Sequence, residues 1–363
     1  MNEYKLLTPG PLTTTATVKA AMLVDHCTWD DDYKRITTDI CEQLLTIANC
    51  SPTEYATVLM QGSGSFGVES VLNSAITADD YVLIITNGAY GDRMAEMLSY
   101  IGIKYDVLNC PYNEQPSPAD IDAFLTENNN ITHVAVVHCE TTTGILNDIA
   151  TISKIVKKHN KIYIVDAMSS FGGINIEVEE LNIDFIVSSA NKCIQGVPGF
   201  SFVIAKRTML EACKGKSTSL SLSLYDQWQE MAKDGKWRFT SPTHVVLAFS
   251  QALAELKNEG GVTARNHRFQ ANMDLLRKNF IGLGFVPFLD ADLQAPIITT
   301  FEYPKENFNF KNMYDFIKTR GFAIYPGKLM NLDTFRVGVI GEIYLDDIER
   351  LTTSMREYLE QAS

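Results

Sequence analysis

Lys192 occupies a turn of mostly small residues, Ser188-Ser-Ala-Asn-Lys192-Cys-Ile-Gln-Gly-Val-Pro-Gly199, that joins two short apolar runs, 184–187 and 200–205. Both runs are rich in β-branched and aromatic residues and read as buried strands, so the amine stands on a short connector at the end of one of them. A lysine in such a place is either a solvated loop charge or a nucleophile kept out of water, where the neutral amine can condense with a carbonyl. Twenty-six positions earlier, Asp166 ends Lys161-Ile-Tyr-Ile-Val165, the most strongly β-forming segment of the chain. Its carboxylate would lie at the bottom of a pocket and would need a cation or an N–H as partner. With Ser169 and Ser170 close behind, a turn cap is the competing reading.

A third candidate is Gly62-Ser-Gly64-Ser-Phe-Gly67, which follows one apolar run and opens a helical pattern. The spacing matches a dinucleotide-binding turn, but that reading also wants an acidic residue at the end of the next strand to hold the ribose. That strand ends Thr86-Asn87-Gly88, and Asp79 and Asp80 precede it, on the wrong rim. Nicotinamide binding is therefore disfavoured. What survives is a seat for one phosphate, made of small residues, N–H groups at a helix start and the Ser65 hydroxyl.

These residues must be held by something. Strands are expected at 56–60, 81–86, 133–138, 161–165, 184–187 and 200–204, with helices at 67–76, 92–102, 118–127 and 150–159 between them. Continuous apolar strands alternating with helices imply an α/β fold with a mostly parallel central sheet covered on both faces. Ligands in such sheets sit beyond the carboxyl ends of the strands, and every candidate above falls on that rim, as does Tyr90 in Thr86-Asn-Gly-Ala-Tyr90. Expected domains are an N-terminal arm (1–15) carrying Leu7-Thr-Pro-Gly-Pro11, a large domain (16–256) and a smaller C-terminal α+β domain (257–363).

Composition narrows the partners. A formal net charge of −13 and a pI near 5.0 argue against nucleic acid and anionic membranes. No apolar run approaches the roughly 18 residues of a membrane span, and Met-Asn-Glu-Tyr-Lys has no signal-peptide pattern, so a cytoplasmic location is expected. The seven cysteines form no CxxC pair and the six histidines no HxxxH, so neither a disulfide framework nor a metal site is expected.

Pyridoxal 5′-phosphate uses a lysine to bond its aldehyde and an acid against its pyridine nitrogen to keep the ring an electron sink; the phosphate seat completes the set. The chain resembles the fold type I, class V aminotransferases over essentially its whole length. The resemblance is carried by Thr8-Pro-Gly-Pro11, Cys27-Thr-Trp-Asp-Asp-Asp-Tyr33, Gln61-Gly-Ser-Gly64, Asn87-Gly-Ala-Tyr-Gly91, Glu140-Thr-Thr-Thr-Gly144, Val165-Asp-Ala-Met-Ser-Ser-Phe-Gly-Gly173, the Lys192 turn, Lys236-Trp-Arg-Phe-Thr-Ser-Pro-Thr-His244 and Tyr325-Pro-Gly-Lys328. Within the class it is similar to the branch that uses 2-aminoethylphosphonate and pyruvate.

The resemblance implies that Lys192 bonds the cofactor aldehyde, Asp166 pairs with the pyridine nitrogen, Tyr90 stacks on the ring and Thr141 lies near its 3-hydroxyl. It implies a phosphate cup of Gly64, Ser65 and Phe66, the last by its N–H alone, with a donor from Ser189 or Asn191. Met168 is expected against the cofactor too. Thr243 would complete the cup of a neighbouring subunit, so a homodimer is expected, and Arg336 would take a substrate carboxylate, which suits a guanidinium fork. Alternatives are an alanine–glyoxylate or serine–pyruvate transaminase, and more distantly a cysteine desulfurase-like lyase.

Overall fold

The structure, a computed structural model, describes residues 4–304, 308–327, 329 and 332–361. The arm contains a two-residue strand, β1 (Lys5–Leu6), and leads into α1 (Ala16–Ala20), whose N-cap Thr15 accepts the Val18 N–H. In α2 (Asp31–Ile47) two aspartates in the first turn complement the helix dipole, and Tyr33, Ile40 and Leu44 are buried. The alternation then begins: β2 (Tyr55–Gln61), α3 (Gly64–Ala75), β3 (Tyr81–Thr86), α4 (Ala89–Ile101), β4 (Lys104–Asn109), α5 (Pro118–Glu127) and β5 (His133–Val137). It continues through the small hairpin β6 (Cys139–Glu140) and β7 (Ile145–Leu146), then α6 (Ile149–Lys158), β8 (Ile162–Asp166), β9 (Phe185–Ser189) and β10 (Phe200–Lys206).

Seven of these strands form one sheet in the order β2-β10-β9-β8-β5-β3-β4. All neighbours are parallel except β10, which runs antiparallel to both β2 and β9. The Lys192 turn is the reason, since the ten residues 190–199 between β9 and β10 are too few for a crossover back to the starting edge. Edge strand β4 was not expected. Lys104, Asp106 and Asn109 interrupt its apolar pattern, as suits a strand left partly exposed at an edge. Apolar clusters cover both faces, one including Leu44, Tyr163, Phe202 and Phe249, the other Val58, Leu72, Ile84 and Val203. Among the described residues no helix is long and apolar enough to cross a membrane.

Three helices, α7 (Arg207–Ala212), α8 (Leu224–Asp234) and α9 (Thr243–Glu259), lead to α10 (Gly261–Gly282) and a smaller unit of β11 (Ile298–Glu302), α11 (Phe310–Thr319), β12 (Phe322–Ala323), β13 (Tyr325–Pro326), β14 (Thr334–Gly338) and α12 (Leu345–Gln361). Its antiparallel sheet, β11-β14-β13, packs over a cluster of Phe280, Phe285, Phe301 and Phe335. The arm's Leu7 belongs to this cluster, and β1 pairs in parallel with β12. The two residues of β1, which precede the arm's prolines, form with β12 a two-stranded sheet of their own.

Arg265 of α10 ties that unit to the Lys192 turn. Fully buried, it donates to the carbonyls of Cys193 (2.9 Å) and Ile194 (3.2 Å) and pairs with Glu259 at 2.8 Å. Removing one partner of a buried, hydrogen-bonded pair strands the other. Arg265→Ala is expected to lower stability by about 3 kcal/mol, read as a lower urea midpoint with an unchanged slope.

Candidate active site

Because β8 is buried along its length, its last residue delivers a carboxylate inside the molecule. Asp166 is 6% exposed, and its Oδ1 accepts the Met168 N–H at 2.8 Å. Burial pushes the carboxyl up to about 6; the Met168 hydrogen bond and the charges of Lys192 and Arg93 oppose the rise, and Glu140 adds to it. The next strand in the sheet, β9, ends at Ser189, whose hydroxyl is buried and has no hydrogen-bond partner among the described residues. Three residues on, the Lys192 Nζ donates to the Pro9 carbonyl at 3.0 Å.

Two helix starts face these groups. α3 opens at Gly64, so Gly64 and Ser65 carry first-turn N–H groups for which a helix has no internal acceptor. A Cβ on Gly64 would stand 2.3 Å from Met168 Sδ, so the methionine side chain would have to move aside for any other residue. Tyr90 lies in the first turn of α4, and its N–H donates to Glu140 Oε2 at 3.1 Å. Gly64, Ser65, Tyr90, Asp166, Met168, Ser189, Asn191 and Lys192 all line one cavity of about 280 Å³.

The other expected residues stand apart from that lining. The Phe66 N–H donates to the Ser63 carbonyl at 2.9 Å and its ring is exposed. Thr141 is buried, and its carbonyl accepts Arg336 Nη1 at 2.8 Å. Arg336 also donates Nε to the Pro326 carbonyl at 3.1 Å and hydrogen-bonds the Tyr90 side chain, and burial holds its pKa below the usual guanidinium value. Thr243 begins α9, half-buried, beside a surface groove of about 390 Å³ lined by Thr28 and residues 236–241. Lys328, quoted for the resemblance, lies outside the described residues.

Two residues of the site were not singled out from sequence. Arg93 lines the cavity with its guanidinium carbon 5.0 Å from the centre of the Tyr90 ring; the signal was its place three residues after Tyr90 in one helix, which puts both on one face. Glu140 is completely buried and accepts the Thr142 N–H (3.0 Å), the Thr142 hydroxyl (2.7 Å) and the Tyr90 N–H. Burial raises its pKa and those donors restrain the rise. It fixes the start of α4 to the loop that receives Arg336.

The donor set fits a phosphate-bearing pyridine aldehyde. An unpartnered buried hydroxyl and first-turn N–H groups suit the phosphate, a buried carboxylate suits a ring N–H, and an amine stands within the same cavity. Other chemistries fit less well. Cys193, next to Lys192, is completely buried, with its thiol directed to the Ser169 carbonyl at 3.2 Å and pushed by burial up to about 12, which is no mobile nucleophile. Asn87, where a dehydrogenase would place its acid, spends its amide on Glu114 and Asn147.

An open α/β sheet with a lysine and an acid on its carboxyl rim suits a pyridoxal phosphate enzyme, and the class V aminotransferase model matches residues 33–331; the chain belongs to that family. It is 56% identical over 359 residues to a 2-aminoethylphosphonate–pyruvate transaminase of Lysinibacillus sphaericus (strain C3-41), covering 99% of this chain and 98% of the relative. A protein of the same name from Bacteroides fragilis (strain YCH46) is 54% identical, covering 98% of this chain and 99% of its own. Among solved structures, the ureidoglycine–glyoxylate aminotransferase of Bacillus subtilis superposes with a TM-score of 0.91 at 20% identity, covering 99% of this chain and 94% of that one, a likeness of fold.

The Asp166 carboxyl makes stability depend on pH. Between its ordinary value of 3.8 and about 6 the folded chain keeps a proton that the unfolded chain has released, so stability falls as pH rises through that window. In protein without cofactor, Asp166→Asn is expected to be more stable than the wild type by about 3 kcal/mol at pH 8 and to lose the advantage near pH 4, read from thermal melts across that range.

Proposed function

We propose that the chain transfers the amino group of 2-aminoethylphosphonate to pyruvate, releasing phosphonoacetaldehyde and L-alanine, with pyridoxal 5′-phosphate held in the cavity between α3, α4 and the Lys192 turn. The observation that carries this reading is the meeting of Lys192, Asp166 and the start of α3 in one cavity. The substrate assignment is supported by relatives of that name over nearly the full length. A net charge of −13 suits a cytoplasmic enzyme of small molecules.

When bound, the cofactor supplies an electron-withdrawing ring that makes the C–H beside the transferred nitrogen acidic. Asp166 would accept the ring N–H and keep the ring protonated, a charge pairing that would also relieve its own burial. The Gly64 and Ser65 N–H groups, the Ser65 and Ser189 hydroxyls and Asn191 would hold the phosphate; Phe66 would add its N–H by giving up Ser63. Met168 and Tyr90, which line the same cavity, would contact the ring, and Thr141 would serve its 3-hydroxyl. Lys192 would serve as the acid–base group, its Nζ taking the proton from the carbon that bears the transferred nitrogen and holding it for return, and doing the reverse when pyruvate is the acceptor. Arg336, oriented by the Thr141 and Pro326 carbonyls, receives the carboxylate of pyruvate.

The reading includes a homodimer. Leu23, Trp29 and Phe239 are exposed around the start of α9, and a second copy covering them would carry Thr243 to its neighbour's phosphate seat.

Supplying pyruvate with a panel of amines and measuring alanine tests the assignment. 2-Aminoethylphosphonate should be the best donor; faster turnover with serine would remove the substrate assignment and leave the class. Lys192→Ala should bind cofactor but lose turnover by about 10⁴-fold, the upper range for a positioned acid–base group. Single turnover at the wild-type rate in that variant, with no added amine, would refute the lysine's role.

A further inference from the structure

The proline-rich arm has no part in the transfer described above, yet it is the arm that Lys192 touches. Its Nζ donates to the Pro9 carbonyl at 3.0 Å and to the Gly10 carbonyl at 3.5 Å. Gly10 has a φ of +122°, and a Cβ there would stand 2.6 Å from Lys192 Cδ, 2.9 Å from its Nζ and 3.0 Å from the Asn191 carbonyl oxygen. The backbone therefore approaches the lysine more closely than any side chain would allow. This approach is secured from both sides. Leu7 donates its N–H to the Ala323 carbonyl and accepts the Gly338 N–H, at 2.8 and 2.9 Å, and the Thr13 carbonyl accepts the Glu342 N–H at 2.8 Å. Leu12 packs in one apolar cluster with Cys193, the residue after the lysine.

A carbonyl oxygen can only accept a hydrogen bond, whereas a lysine nitrogen offers three donors as ammonium and a lone pair as amine. Two carbonyls fixed beside that nitrogen favour its protonated form and give its protons a direction. We propose that the Pro9 and Gly10 carbonyls are the holding site for the Lys192 ammonium during proton transfer. The inference rests on the pyridoxal phosphate reading above. The Nζ lone pair takes one proton from the substrate carbon, the resulting ammonium donates to the arm, and the same proton is delivered to the accepting carbon, so the balance closes without solvent. Because the arm also packs on β14, which bears Arg336, the groups that seat the substrate anion and the base that works on it share one support.

The test uses Gly10→Ala loaded with pyridoxal phosphate and mixed with 2-aminoethylphosphonate without pyruvate, following the cofactor absorbance through a single turnover. Cofactor should still be fixed onto Lys192 by borohydride, and the half-saturating donor concentration should stay within about threefold, while the single-turnover rate falls about a hundredfold. Deuterium on the amine-bearing carbon should slow the variant more than the wild type. In cofactor-free protein, peptide mapping after an amine-reactive reagent should find Lys192 labelled faster in the variant, with Lys257 unchanged. If alanine at this φ prevents folding, removal of residues 1–11 takes its place with the same readouts. A wild type that fixes no cofactor on Lys192 overturns the cofactor reading and the proposal with it. A wild type that does, beside a variant matching it in rate, isotope effect and labelling, overturns the role of the arm alone.

Discussion

The cost of a carboxylate at the buried end of a parallel strand shapes the rest of the structure. The sheet contains two buried aspartates on opposite rims, and they are treated differently. Asp184, just before β9, accepts the Tyr163 N–H at 2.7 Å, is paired with Lys206 at 2.7 Å and is also paired with Lys157. It is a closed structural site. Asp166, on the functional rim, receives one backbone N–H at Oδ1 and stands against a cavity, and burial drives its carboxyl up to about 6. A charge left open in this way is stable only as part of something that arrives later, and a ring N–H is the size and polarity that the cavity admits.

Lys192 has to be placed opposite that carboxylate with little freedom, and the turn that bears it is short. Its backbone is held from beneath by Arg265, which satisfies the Cys193 and Ile194 carbonyls, and its side chain is met from above by the Pro9 and Gly10 carbonyls. Both supports belong to elements packed with the smaller unit: α10 contributes Met273, Leu276 and Phe280 to that core, and the arm contributes Leu7. The large sheet thus provides Asp166 and Ser189, while elements packed with the smaller unit hold the Lys192 turn and its side chain. A rearrangement of the smaller unit would be felt first at Lys192.

Much of this was legible from residue order. The β-branched runs are strands because they are buried on both faces, and the rule that ligands gather at their carboxyl ends selected Asp166, Lys192, Gly64 and Tyr90 together. What escaped has physical reasons. β4 is an edge strand whose polar residues break the apolar pattern. Glu140 sits within a quoted motif, but its task depends on donors 50 residues away at the start of α4. Arg93 needed the helical phase of α4 as well as the sheet order, since its partner Tyr90 is local and its influence on Asp166 is not. The contact of the arm with Lys192 spans 183 positions and is made by backbone atoms, which no pattern of side chains encodes.

A chain with a net charge of −13 that acts on anions has to solve that conflict locally. Exposed charges are screened within a Debye length, about 8 Å at physiological salt, so the overall charge weakens at the site while nearby cations do not. Two guanidinium groups flank the Tyr90 side chain: Arg93, exposed and lying over the ring, and Arg336, 3% exposed and hydrogen-bonded to it. They are not equivalent. Arg93 is exposed, so its charge is solvated and screened. Arg336 has already lost its water, which the Thr141 and Pro326 carbonyls replace. Its attraction acts at low dielectric and in a fixed direction. The planar fork of the buried arginine is thus set by backbone carbonyls from two parts of the fold, Thr141 and Pro326.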